Sequence, residues 1–243
     1  MNILICNDDG IFSEGILTLA NVLSIEHNVT VVAPLSNRSG YSHSMSFFKE
    51  LTVKEEKISK NFKSYSISGT PADCVKFALY YFNGNFDIVC GGINIGNNIG
   101  TDILYSGTVS ICIEASVNGY KNIALSVTEF DNIDYEVLGK NALLIFNALQ
   151  PYLSKDRVWN VNIPNKEISE IKITKLGIQK YSDTYKLMPN GSYMLVGEPL
   201  NHNLNDGKTD VDCFFNGQAS ATPIIIDKTD YNYLNNIPSE IKL

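Results

Sequence analysis

Apolar residues fall in short runs along the first two thirds of the chain, and most runs stop at glycine, asparagine or proline. Residues 2–6 form the first run and end at Asn7-Asp8-Asp9-Gly10, after which residues 11–25 carry apolar side chains at helical spacing. This pattern predicts strand, loop, helix. Residues 28–33 are rich in β-branched side chains and mostly apolar up to Pro34, as in a parallel strand buried on both faces. Residues 36–46 are too polar for a core and read as a functional loop. The weaker pattern over 51–67 predicts one or two antiparallel strands. Pro71 then opens a helix over 72–81, with Thr70 or Ser68 as its cap. Strands over 86–91, 123–127 and 158–163 alternate with helices over 108–118 and 135–152, and Glu114 falls on the polar face of the first of these helices. Such alternation predicts an α/β protein with a mostly parallel sheet and helices on both faces.

Beyond about residue 165 the alternation breaks into short strand-like pieces, with Pro189, Asn190 and Gly191 as a turn. The chain therefore divides into a core over 1–165 and an extension of short strands over 166–243. The extension's strands lack helical cover, so their edges are open to pairing with another protomer.

Composition narrows the class. A hydrophobic fraction of 44% and a charged fraction of 19% describe an ordinary globular protein rather than a disordered one. No apolar run approaches the ~18 residues of a membrane span, and no basic segment precedes an apolar stretch at the N-terminus, so a cytoplasmic location is expected. Cys6, Cys74, Cys90, Cys112 and Cys213 show no C-x-x-C spacing and read as buried, reduced thiols. His27, His43 and His202 are not paired at i,i+4, which argues against a histidine-built zinc site and leaves oxygen donors for any metal. A net charge of −7 disfavours a groove for polymeric nucleic acid but does not exclude a small phosphorylated ligand.

In an open parallel sheet, ligands bind beyond the carboxyl ends of the strands. Four polar clusters face that crevice: residues 7–10, 36–46, 91–100 and 105–108. Adjacent carboxylates repel unless a cation or proton lies between them, so Asp8 and Asp9 suggest a hard divalent ion. Read alone, the pair is a solvated turn with an N-cap aspartate. Ser39 and Asn94, on neighbouring strand-end loops, supply further oxygens, and such a set suits Mg²⁺ or Mn²⁺ better than Zn²⁺. Ser106, Gly107 and Thr108 open a helix whose free N–H groups and dipole favour an anion such as phosphate. Gly92, Gly96 and Gly100 permit close backbone approach, but their spacing is neither G-x-G-x-x-G nor G-x-x-x-x-G-K-[ST]. A dehydrogenase and an ATPase thus lack their signatures.

At these residues the sequence resembles the SurE survival-protein family of 5′-nucleotidases. The matching segments are NDDG at 7–10, AP at 33–34 with NRSG at 37–40, SGTPADC at 68–74, GIN-x-G-x-N-x-G at 92–100, YSGTV at 105–109, NVNIP at 160–164, and TD at 209–210 with S-x-TP at 220–223. They cover almost the whole chain in the family's order. The resemblance implies a Rossmann-like core, one divalent metal held by Asp8, Asp9, Ser39 and Asn94, and a phosphate pocket lined by Asn98, Ser106, Gly107 and Thr108. It also implies a homodimer or homotetramer that exchanges C-terminal segments. The expected chemistry is metal-assisted attack of water on a nucleoside monophosphate with a 5′ phosphate, or also a 3′ phosphate. A nucleotide-binding or signalling module without turnover is the alternative. Phe12, Gly91 and Gln218-Ala219 depart from the family pattern, and none is a proposed ligand.

Overall fold

The computed structural model describes residues 1–200 and 206–241. Strand β1 (Asn2–Cys6) leads through α1 (Glu14–Leu23) to β2 (Asn28–Pro34). Next come β3 (Val53–Glu56), β4 (Lys63–Ile67), α2 (Pro71–Tyr81), β5 (Ile88–Ile95), α3 (Gly107–Val117), β6 (Lys121–Val127), α4 (Tyr135–Leu149) and β7 (Arg157–Ile163). The remaining elements are β8 (Lys172–Ile173), β9 (Lys180–Tyr181), β10 (Thr184–Leu187), β11 (Tyr193–Val196), β12 (Pro199–Leu200), α5 (Asp210–Phe215), β13 (Ser220–Ile225) and α6 (Tyr231–Leu234).

One nine-stranded sheet runs in the order β3-β4-β2-β1-β5-β6-β7-β13-β8. From β4 to β7 every neighbouring pair is parallel, which buries these strands on both faces. Side chains of α1 and α4 such as Leu19 and Phe146 fill one face against Ile3, Ile5 and Val31. Cys74 and Val75 of α2, with Val109 and Cys112 of α3, fill the other against Leu4, Cys6 and Val89. The architecture is Rossmann-like, with short strands following the core. All five cysteines are free and buried. Among the described residues, no helix is long and apolar enough to cross a membrane.

Local chemistry explains most element boundaries. Thr70 caps α2 in a reciprocal capping box with Asp73, and Pro71 starts the helix. The first helix begins three residues later than its apolar spacing suggests. Ile11 N–H donates to Pro34 O at 2.9 Å and holds residues 11 and 12 in a turn before Ser13, the residue preceding α1.

Three features of the sheet also depart from the sequence reading. Strand β4 pairs antiparallel with β3 but parallel with β2, so it widens the parallel sheet. Strand β5 does not stop at Gly91. It crosses an irregularity between Gly91 and Asn94 and continues to Ile95, which puts Asn94 on a strand end rather than a loop. Finally, β13 from the extension pairs antiparallel with β7 from Ser220↔Asn162 to Ile225↔Arg157, and its Ala221 is part of the core.

Candidate active site

The sheet order reverses at β1, whose sequence successor β2 lies on one side and β5 on the other. Ligand crevices in open α/β sheets form at such switch points, beyond the carboxyl ends of the strands. The acidic turn starts here. Asn7 is fully buried and does not point into the crevice. Its amide nitrogen donates to Gly10 O (3.0 Å) and Ser13 Oγ (2.7 Å), while its Oδ1 accepts Gly10 N–H at 3.2 Å. The turn is thus shaped by its own side chain, the local use of asparagine that competes with regular structure.

The 36–46 loop is tied to this turn. Arg38 N–H donates to Asp8 O at 2.6 Å, and Asn37 Nδ2 donates to Asp9 Oδ1 at 3.4 Å. Asn37 Oδ1 also accepts Ser39 N–H at 2.9 Å, placing the exposed Ser39 beside the acidic pair.

Asp8 is buried against the start of α3. Thr108 Oγ1 donates to its Oδ1 at 2.5 Å. A Cβ on Gly107 would lie 2.7 Å from Asp8 Cβ, so only glycine allows the helix to approach this closely. Burial raises the Asp8 pKa, and the hydrogen bonds from Thr108 and from the Gly107 and Thr108 backbone offset this only in part. Asp9, half-buried, is pushed up to about 6, first by burial and then by the charge of Asp8, with a weak lowering contact from Ile95 N–H. Burial leads both shifts, and the charge of Asp8 adds to the one at Asp9.

The remaining residues are set by asparagines and an aspartate distant in sequence. Asn94 Nδ2 donates to Gly96 O at 2.7 Å, which engages the donor end of the amide and leaves Oδ1 as its acceptor. The Asn98 carbonyl accepts from Asn160 Nδ2 (2.8 Å) and Asn162 Nδ2 (3.0 Å), and Asn98 N–H donates to Asn162 Oδ1 at 2.8 Å. Positions 160 and 162 share one side of β7 because strand side chains alternate. Asn98 Nδ2 itself donates to Ser126 Oγ at 2.8 Å. Asp210 of α5 accepts Gly100 N–H at 2.9 Å and Gly177 N–H at 2.7 Å, so the extension holds the far end of the glycine-rich segment.

A cavity of about 270 Å³ opens here, lined in part by Asp8, Ser39, Asn94, Asn98 and Ser106. Asp9 belongs to the same turn. Gly107 and Thr108 lie behind Asp8, with the Thr108 hydroxyl engaged by the carboxylate, and Ser106 caps α3 by accepting Val109 N–H at 3.0 Å. Their local role is therefore to support Asp8 as well as to form a helix start. Asp102 also lines the cavity, and Tyr181 of β9 donates to its Oδ2 at 2.6 Å. No local motif in the sequence marks that contact.

Glu114 does not sit on a solvated face. Its side chain is 3% exposed and accepts from Lys76 Nζ (2.7 Å) and Asn118 Nδ2 (2.7 Å), and it pairs with His43 Nε2 at 2.8 Å. Burial by itself raises a carboxyl pKa, but these bonds and the Lys76 charge outweigh it and hold Glu114 at about 2. Through His43 it anchors the 36–46 loop to α3. His27 packs near Phe146, and His202 lies outside the described residues.

This fold and crevice define an open-sheet α/β protein with a paired-carboxylate site at its topological switch point. The chain belongs to the SurE family: the family model described as Survival protein SurE matches residues 3–183. The chain is similar to the 5′-nucleotidase SurE of Clostridium beijerinckii, with 40% identity covering 98% of each sequence. It is 44% identical to the 5′-nucleotidase SurE of Clostridium botulinum strain 657, covering 96% of each. Among solved structures, the SurE protein from Aquifex aeolicus superposes with a TM-score of 0.84 at 35% identity, covering 98% of both chains.

Proposed function

We propose that the chain is a 5′-nucleotidase, a divalent-metal-dependent phosphatase that releases inorganic phosphate from nucleoside monophosphates, with 3′-nucleotides as further substrates. The observation that carries this reading is the Asp8–Asp9 pair at the end of β1, with Asp8 buried against the start of α3 and Asp9 half-buried beside the end of β5. The family relatives named as 5′-nucleotidases support the substrate class.

The donor set fits a hard cation. Asp8, Asp9, Ser39 and the amide of Asn94 all offer oxygen donors, the type that Mg²⁺ and Mn²⁺ prefer. A cation held there supplies Lewis-acid polarisation of phosphoryl oxygens and a more acidic water. Thr108 and Gly107 keep Asp8 in place and limit its motion. Ser106 and Asn98 form the wall that a phosphoryl group meets, and the dipole of α3 favours its negative charge. The Glu114–His43 contact keeps the loop carrying Ser39 against this wall.

Phosphate release from nucleoside monophosphates is expected with Mn²⁺ or Mg²⁺, to vanish with EDTA, and to return when metal is restored. Undiminished turnover in thoroughly stripped protein would overturn the metal requirement. Nucleotide binding with no phosphate release under any metal would instead identify a non-catalytic module.

The core over 1–165 and the extension over 166–243 divide the labour in this reading, with the extension serving both to brace the crevice and to assemble protomers. Tyr185, Leu187, Tyr193 and Leu195 on the β10–β11 hairpin are all more than half exposed, which suits contact with a second copy. A homodimer or homotetramer is expected by sedimentation, and removal of residues 184–196 should weaken it while the core stays folded. Wild-type protein that remains monomeric at micromolar concentration would contradict this. Five buried, unpaired thiols fit a reducing, cytoplasmic setting.

A further inference from the structure

We propose that Phe130 is the platform on which the base of the nucleotide stacks, an assignment that rests on the nucleotidase reading and extends it to the nucleoside half of the substrate. Phe130 is 72% exposed, yet it lines the same cavity as Asp8, Asn94 and Ser106. A phenyl ring left in water beside a strongly polar pocket gains by being covered, and a flat apolar ligand group covers it best.

The segment that carries the ring is tied down on both sides, and one edge of the ring lies against Gly96. Gly96 N–H donates to Glu129 O at 3.1 Å, joining the segment after β6 to the end of β5. The ring edge lies so close to Gly96 that a Cβ there would be 2.3 Å from Phe130 Cε1. Glu129 Oε2 accepts from Thr128 Oγ1 at 2.8 Å and from Asn165 N–H at 2.9 Å. Beyond Phe130, Asp134 N–H donates to Asn165 Oδ1 at 2.8 Å just before α4 begins. The backbone is therefore pinned on both sides of an exposed aromatic residue, and a segment already held loses less freedom when a ligand docks. A phenyl ring has no hydrogen-bonding group. It recognises the π-face that all bases share, which predicts tolerance of purines and pyrimidines alike.

The test compares wild type, Phe130→Ala and Phe130→Tyr on adenosine 5′-monophosphate and ribose 5-phosphate. In parallel, adenosine and ribose binding are followed by saturation-transfer NMR, which needs no turnover. The ratio of kcat/KM for the nucleotide to that for ribose 5-phosphate is expected to fall about 10-fold in Phe130→Ala and to recover in Phe130→Tyr, in line with losses on removing a stacking partner. Adenosine should show transfer with wild type and lose it with Phe130→Ala. An unchanged ratio, or adenosine transfer that survives in Phe130→Ala, overturns the proposal. Wild type that hydrolyses neither ester refutes the nucleotidase reading alone, and the adenosine arm still decides the stacking.

Discussion

Replacing Asp8 with asparagine is expected to cut phosphate release by at least ~100-fold, because even partners outside the ligand shell change metal-site activity by 10- to 100-fold. The same change should remove most of the stability gained from metal. A ligand that binds only the folded state stabilises by roughly 2.7 kcal/mol at about 100 times its dissociation constant. Without metal, the variant should stay within ~1 kcal/mol of wild type. Asparagine keeps the volume and can still accept from Thr108 Oγ1. It gives up a negative charge near the start of α3, worth ~0.3–1 kcal/mol, but it also removes the repulsion with Asp9 and the cost of burying a charge. Thermal unfolding of both proteins with Mn²⁺ and with EDTA separates the possibilities. If Asp8 were only a turn residue, the variant would be equally destabilised in both buffers and its metal-induced shift would match wild type.

The largest expected loss of fold stability comes from Glu114→Gln. The glutamine removes a buried charge that Lys76, Asn118 and His43 converge on. The sign follows from the direction of the shift. Glu114 has a folded pKa of about 2, below the 4.5 of an unperturbed glutamate. Its contribution is therefore fully present above about pH 4.5 and is lost as pH falls through about 2. At ~1.36 kcal/mol per pKa unit the ceiling is about 3 kcal/mol. Because Lys76 and His43 are partly open to solvent, screening trims this to ~2–3 kcal/mol. Denaturant titrations of wild type and variant at pH 5 and pH 3 should give a difference that shrinks at pH 3. A difference independent of pH would mean that packing, not charge, is what Glu114 contributes.

The sequence by itself determined the alternation of strands and helices, a helix opened by Pro71 with Thr70 or Ser68 as its cap, the thiols without partners, and the candidate ligands at or just after the ends of β1, β2 and β5. Each of these depends on neighbours two to four positions apart, where apolar period and turn chemistry act directly. The NVNIP and TD motifs were legible as matches, but their work was not. Only the folded chain brings Asn160 and Asn162 to the Asn98 carbonyl and Asp210 to Gly100 N–H. The tertiary structure also decided that Thr108 supports Asp8 from a hundred positions away, that Glu114 is buried in an ion-paired cluster, and that Phe130 faces the site. It likewise put β13 inside the sheet, as a six-residue strand that carries no local sign of its partner. The reason is common to all four. A side chain's period along its own element says which way it faces, whereas what it meets there depends on how distant elements pack, and a single sequence does not encode that pairing locally.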